Sequence, residues 1–312
     1  MSKGLAKPDD LIRLESIKPN LIQKSRIIRE LRNGLFNRGF IETDTPVLIK
    51  APAPEDNINA PKTGDFFLRS SPELHMKRLV VAGYEKIFQI GSCFRAGEIG
   101  KFHNVEFTML EWYETGKTYI DLIYFLKDLL LEVVTKTKGT SKVQFKNSKI
   151  DFAKGWKVFT VKEAFLKFTG ITPEEAIAKN EFEILLTEKV EPNLPKGIPV
   201  ILKDYPTSMA ALSKINEKDN VAERWELYLG GIEIANAYSE LTDYNEQKKR
   251  FKKVHKNREK NKLPAYPDDK EFFKCLEYGI ASFAGCALGV DRLVMVLTNS
   301  ESIKKVNYFT EF

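Results

Sequence analysis

The sequence predicts a globular protein that mixes α-helices and β-strands around a sizeable core, its length allowing one large domain or two small ones. The 312 residues are 43% hydrophobic and 29% charged, near the averages of soluble globular proteins, which excludes disordered and collagen-like chains. Apolar residues recur at helical spacing in some segments and alternate in others, with Gly and Pro punctuating the changes. No internal repeat or low-complexity tract interrupts this pattern.

Residues 21–38 predict an amphipathic helix: Leu21, Ile28, Leu31 and Leu35 share a face, Ile27 and Phe36 widen it, and Gly39 stops it. Residues 40–49 alternate and are rich in β-branched side chains, predicting a strand with Pro46 at its end or at a sheet edge. The Pro-, Asn- and Gly-rich residues 51–65 predict a long loop of the kind that often carries function, and 66–69 a short strand. Ser71 as N-cap, Pro72 at the first helical position and Glu73 behind it start a helix over 71–82. Strand-like runs at 86–90 and 106–112 flank a polar segment, 95–104, and predict a hairpin with a long loop. Residues 119–134 predict another amphipathic helix. Short helices at 161–168 and 173–180 fall in a region, about 140–220, that reads as a mostly helical insertion. Strand character returns at 224–237, and Gly289 followed by DRLVMVL predicts a turn into a closing helix. Such alternation fits a parallel sheet as well as an antiparallel one.

The net charge is +6, and the excess is concentrated in residues 248–262, where nine Lys or Arg face one Glu. That run reads as a solvated helix with Phe251 and Val254 as its buried edge and Pro264 and Pro267 ending it. Contact with phosphates or an acidic protein face is the alternative. Cys93, Cys275 and Cys286 are odd in number and lack C-x-x-C spacing, so no disulfide framework or thiolate zinc site is expected and a reducing cytoplasm fits. The first residues contain no apolar leader. The two most apolar stretches, 121–134 and 283–298, are broken by Lys127, Asp128, Asp291 and Arg292, so no membrane span is expected.

Polar groups crowd the hairpin. Phe94 and Arg95 precede Glu98, His103, Asn104, Glu106 and Phe107, after which Met109, Glu111 and Tyr113 recur at period two on one strand face. A surface hairpin with ordinary ion pairs would account for part of this. A carboxylate and a phenol on one face, with an upstream Arg, also suit a cavity, where the planar guanidinium makes bidentate bonds to carboxylate or phosphate.

With these residues in view, the sequence resembles the catalytic domain of a class II aminoacyl-tRNA synthetase of the lysyl kind, and within it the elongation factor P–lysine ligase family. RGFIETDTPVL with Pro46 matches the first motif, FRAGEIGKFHNVEFTMLEWY the second and GCALGVDRL the third. SPELHMKR from Ser71 and GIEIANAYSELTD from Gly231 complete five ordered signatures between residues 30 and 295. The resemblance implies an α+β fold, an antiparallel sheet flanked by helices, in a single domain spanning 1–312, and a homodimer whose interface uses the first motif and the helix over 21–38.

It also implies a reaction: an amino acid carboxylate attacks the α-phosphate of ATP, giving an aminoacyl adenylate and pyrophosphate. By resemblance Arg95 bridges carboxylate and α-phosphate, Arg292 holds the triphosphate and Phe107 stacks on adenine. Glu98, His103, Asn104, Ile234 and Gly289 lie along the nucleotide, and Glu233, with Glu240, is the expected Mg²⁺ site. A lysine-type substrate needs carboxylates for two ammonium groups. The family positions are Glu73, beside Ser71, for the amine near the reacting carboxylate, and Glu111, Tyr113 and Glu240 for the distal one, with Asn236 at the substrate carboxylate.

Several positions depart from the pattern: Gly97 stands where F-R-x-E expects Glu, with Glu98 next to it, Val105 replaces Pro and Ala237 replaces Gly. Ala287 stands where lysyl-tRNA synthetases usually carry Gly; in the resembled ligases this goes with β-lysine, here (R)-β-lysine, over α-lysine. A pocket-wall methyl shifts such discrimination by about 1–3 kcal/mol. About 20 residues precede the predicted first helix, too few for a five-stranded OB-fold, so anticodon recognition is not expected. The implied acceptor is a lysine side chain of elongation factor P, with the basic run as a docking face. A different acceptor, such as a carrier protein or tRNA, and a non-catalytic nucleotide- or tRNA-binding paralogue remain as rival readings.

Overall fold

The first helix, α1 (Asp9–Phe36), begins at Asp9 rather than Leu21; Asp9 and Asp10 in its first turn suit the helix dipole, and Pro19 lies inside it. This computed structural model describes residues 7–310. The strand expected over 40–49 is divided at Pro46, which has no N–H to give to a ladder. Its first half, β1 (Ile41–Glu42), runs in the main sheet, while β2 (Leu48–Ile49) joins β3 (Lys62–Thr63) and β4 (Phe66–Leu68) in a small sheet of order β2-β4-β3. Helix α2 (Glu73–Val81) starts two residues later than expected, with Pro72 at the cap and the Ser71 hydroxyl accepting the Glu73 N–H at 3.0 Å.

The hairpin is as expected: β5 (Lys86–Phe94) and β6 (Glu106–Thr115) pair antiparallel. Helix α3 (Tyr119–Lys138) follows, with a Thr118–Asp121 capping box at one end and left-handed Gly139 at the other. Region 140–220 is less helical than its sequence suggests. It holds the hairpin β7 (Lys142–Phe145) and β8 (Ser148–Asp151), then β9 (Lys157–Thr160), α4 (Val161–Thr169), α5 (Pro173–Ala178), α6 (Phe182–Leu185), β10 (Val200–Pro206) and β11 (Ile215–Asn216). The strand character at 224–237 resolves into two strands, β12 (Val221–Leu229) and β13 (Ile232–Ser239), turned by Gly230 and Gly231, both at positive φ as a tight hairpin requires. Helices α7 (Tyr244–Lys260) and α8 (Lys270–Tyr278), strand β14 (Phe283–Gly289) and helix α9 (Val290–Leu297) complete the order.

Among the described residues, nine strands form the main sheet, in order β1-β5-β6-β14-β13-β12-β10-β9 with β11 on β12. Only its outer pairs, β1 with β5 and β9 with β10, are parallel. Helices α1, α3 and α9 bury their apolar stripes against the sheet in one cluster that includes Leu31, Leu126, Trp112, Ala237 and Leu293. Among the described residues no helix is long and apolar enough to cross a membrane.

Candidate active site

Four antiparallel strands supply a common floor. Their registers align Glu111, Ala287, Asn236 and Glu226 in one row across the sheet, and Tyr113, Gly285, Tyr238 and Arg224 in the next. A Cβ on Gly285 would lie 2.2 Å from the Tyr113 ring and 2.5 Å from Glu240, so this row closes only around glycine. Leu227 pairs with Ala235 but Tyr228 with Glu233, leaving Ile234 as an extra residue. That bulge re-aims Glu233 so that it faces the same cavity as Asn236, three residues on.

The larger cavity, of about 300 Å³, is lined by all nine residues expected at a nucleotide: Arg95, Glu98, His103, Asn104, Phe107, Glu233, Ile234, Gly289 and Arg292. The Arg95 guanidinium lies 5.2 Å from the centre of the Phe107 ring and 3.7 Å from Glu98, and its buried Nε has no hydrogen-bond partner among the described residues. Arg292 donates to the Glu233 carboxylate at 3.0 Å and to its carbonyl at 3.1 Å, and meets His103 Nε2 at 2.5 Å. Burial, and then the Arg292 charge, lower the His103 pKa from its ordinary value. Asp291, beside Arg292, accepts from Lys24 at 2.5 Å and from the Thr108 N–H at 2.7 Å, which ties the start of α9 to α1 and β6.

The smaller cavity, of about 70 Å³, is lined by all seven residues expected at the amino acid: Ser71, Glu73, Glu111, Tyr113, Asn236, Glu240 and Ala287. The hydroxyls of Ser71 and Tyr113 donate to opposite oxygens of Glu111, at 2.8 Å and 2.5 Å. Burial, reinforced by Glu73, pushes the Glu111 carboxyl up to about 7. The two cavities meet at Glu55, Arg95, Met109, Asn236, Tyr238 and Ala287.

Of the two carboxylates expected at Mg²⁺, Glu233 and Glu240, the structure sets Glu240 in a different cavity from Glu233. It lines the smaller cavity and is ion-paired with Lys77 at 2.6 Å, whereas Glu233 lines the larger one. Glu226, on the adjacent strand, shares the larger cavity with Glu233, as do Glu55, Glu98 and Asp291, and its oxygens already accept from Arg224 at 2.6 Å and from the Tyr205 and Tyr228 hydroxyls at 2.6 Å and 2.7 Å. A carboxylate such as Glu233, opening on a cavity, suits a Mg²⁺ ion that takes its remaining ligands from phosphate and water; no group of three or more potential metal ligands occurs among the described residues.

Sequence reasoning missed Glu55, Lys77, Arg224, Glu226 and Tyr238. Lys77 had a readable signal, since it stands four residues after Glu73 on a helix and pairs with it. Glu240 and Glu73 raise the Lys77 pKa from its ordinary value, against the burial that would lower it. Glu226 and Arg224 became visible only with the strand register.

Residues 9–312 match the family model described as tRNA synthetases class II (D, K and N). The chain is 33% identical to the lysine–tRNA ligase of Coxiella burnetii, in an alignment covering 96% of this chain and 66% of that protein. It is also 33% identical to the lysine–tRNA ligase of Clostridium perfringens, over 98% of this chain and 68% of that protein. The chain thus spans about two thirds of the length of these relatives. Its sheet, its motifs and these matches agree: the chain belongs to the class II tRNA synthetase family of the D, K and N type.

Proposed function

We propose that this protein activates a lysine-type amino acid with ATP, as an aminoacyl adenylate, and transfers it to a lysine side chain of elongation factor P. The observation that carries the activation step is the meeting of two unlike cavities at Arg95. One holds the carboxylates Glu73, Glu111 and Glu240 and fits a small cation-bearing molecule. The other holds Arg292, His103 and Phe107 and fits a nucleotide.

In this reading Arg95 draws the amino acid carboxylate and the α-phosphate together and offsets their charge, so that proximity and electrostatics lower the barrier. Phe107 stacks on adenine, and Arg292 exchanges its bonds to Glu233 for the triphosphate. Asn104, Ile234, Gly289 and Glu98 border the nucleotide, and Asn236 and Ser71 orient the amino acid. Mg²⁺ held by Glu233 would neutralise phosphate charge. Ala287, between Glu111 and Asn236 on the floor, supports (R)-β-lysine over α-lysine, and with it an elongation factor P acceptor. A homodimer is supported by the exposed Ile22, Phe36, Ile41, Val47 and Leu48 on α1, β1 and β2 and the segment between them.

The deciding experiment is amino-acid-dependent ATP–pyrophosphate exchange with α-lysine, both β-lysine enantiomers, ornithine and neutral controls. Strongest exchange with β-lysine supports the reading, strongest exchange with α-lysine removes the Ala287 argument, and none with any of them sinks the activation step. Arg95→Ala should abolish exchange. Mass spectrometry of elongation factor P after incubation tests the acceptor. The lysine–tRNA ligase relatives favour one alternative acceptor, tRNA, which a charging assay would detect.

A further inference from the structure

Glu55 is a carboxylate left without a task by the reading above. It stands in the loop between β2 and β3 and borders both cavities, and among the described residues its side chain accepts no hydrogen bond and enters no ion pair. Its position is nevertheless fixed. Arg258, buried on the otherwise basic and solvated α7, donates to the carbonyls of Glu55 at 2.6 Å and Ile58 at 3.0 Å and to the Asn59 side chain at 2.8 Å. The same guanidinium packs 4.2 Å from the centre of the Tyr266 ring, and the Tyr266 hydroxyl accepts the Ala60 N–H at 2.8 Å. A buried arginine spent on backbone carbonyls builds a rigid loop, and that loop carries Glu55 to the seam between the cavities.

The reacting end of an amino acid is a zwitterion, so a site that places its carboxylate at Arg95 needs an acidic group close by for the neighbouring ammonium. Glu73 and Glu240 already share Lys77, and Glu111 is bonded by Ser71 and Tyr113 at the far end. We propose that Glu55 receives the substrate ammonium nearest the reacting carboxylate, together with Glu73, and so selects amino acids that carry an amine at that end. Burial pushes the Glu55 carboxyl up to about 7 in spite of the Arg95 charge, a shift that an incoming ammonium would reverse.

This inference rests on the proposed amino acid activation, and one assay separates the two. Pyrophosphate exchange is measured for the protein and its Glu55→Gln variant with α-lysine, β-lysine, 6-aminohexanoate, which lacks the proximal amine, and norleucine, which lacks the distal one. The expected result is a fall of about 10- to 100-fold in kcat/KM for the diamino acids in Glu55→Gln, with the KM for ATP unchanged. Discrimination against 6-aminohexanoate should shrink by the same factor while that against norleucine persists. Exchange by the parent protein with unchanged discrimination in the variant overturns the role of Glu55 alone. No exchange by the parent protein overturns the activation reading and this inference with it. Glu55→Asp, which keeps the charge, should recover part of the discrimination, and a uniform loss across all four compounds in both variants would mark Glu55 as merely structural.

Discussion

Lys77 Nζ lies 2.6 Å from a Glu240 carboxylate oxygen, and each side chain is only 1% exposed. A second carboxylate, Glu73, holds the same ammonium from one turn earlier on α2. The protein therefore keeps a cation of its own against the wall of a pocket proposed to bind cations, where it offsets part of the charge of the four lining carboxylates Glu55, Glu73, Glu111 and Glu240.

Removing that cation should be costly. Lys77→Met leaves Glu240 and Glu73 buried beside each other without compensation, and breaking a buried pair from one side typically costs about 3–5 kcal/mol. Urea unfolding of the ligand-free protein should show a loss of that size. A change below about 1 kcal/mol would mean that the two carboxylates are already neutral in the native state.

Gly285 predicts a steric effect at the same place. Its missing side chain leaves room for the Tyr113 ring and the Glu240 carboxylate, which a methyl would approach to 2.2 Å and 2.5 Å. Gly285→Ala should destabilise the fold by about 1–3 kcal/mol, as overpacking does, and raise the KM for the amino acid far more than the KM for ATP. Thermal melting combined with initial-rate exchange checks both parts, and an unaltered amino acid KM would contradict the assignment of this cavity.

Glu111 predicts a pH dependence. Its carboxyl is pushed up from 4.5 to about 7 by burial and by Glu73, so between those values the native protein binds a proton that the unfolded chain has released. Its contribution to stability is accordingly full below pH 4.5 and is lost as pH rises through about 7, by at most about 1.4 kcal/mol per pH unit. Binding has the opposite sign, because an ammonium ligand needs Glu111 ionised: the KM for a diamino acid should fall as pH rises towards 7 and level off above it. Glu111→Gln should weaken binding at every pH and remove this inflection, and an inflection that survives the substitution belongs to another group.

Much of this site was legible in the sequence because its residues are local and periodic. Met109, Glu111 and Tyr113 share a face by simple alternation, and β5 and β6 form the expected hairpin around Arg95. What escaped depended on non-local geometry. The bulge at Ile234 reverses the alternation that would have placed Glu233 opposite Asn236, the strand register brings Glu226 level with Asn236, and the packing of α2 sets Lys77 beside Glu240. Helix α1 starts at Asp9 rather than Leu21 and runs through Pro19, ordinarily a helix breaker, with Ile17 and Leu21 buried on either side of it. The divided strand at Pro46 reflects competition between two sheets, which no single segment encodes.

The basic helix α7 separates into two sets of charges, and this sharpens the docking prediction. Arg258 and Arg250 are structural: the first clamps the Glu55 loop, and the second donates to the carbonyls of Ala211 and Ser213 at 2.9 Å and 2.7 Å. Lys248, Lys249, Lys252, Lys253 and Lys256 are free of such duties towards the fold, with Lys248 and Lys249 bonded only within the helix. Exposed charges of this kind contribute little to stability but accelerate encounter with an acidic partner, an effect that salt screens. Reversing Lys249, Lys252, Lys253 and Lys256 to Glu should therefore leave pyrophosphate exchange intact and slow the proposed modification of elongation factor P by roughly tenfold or more at low salt, with the difference narrowing as salt is raised. Equal loss of exchange and modification would place the effect on the fold, and unchanged modification would remove α7 as the docking face.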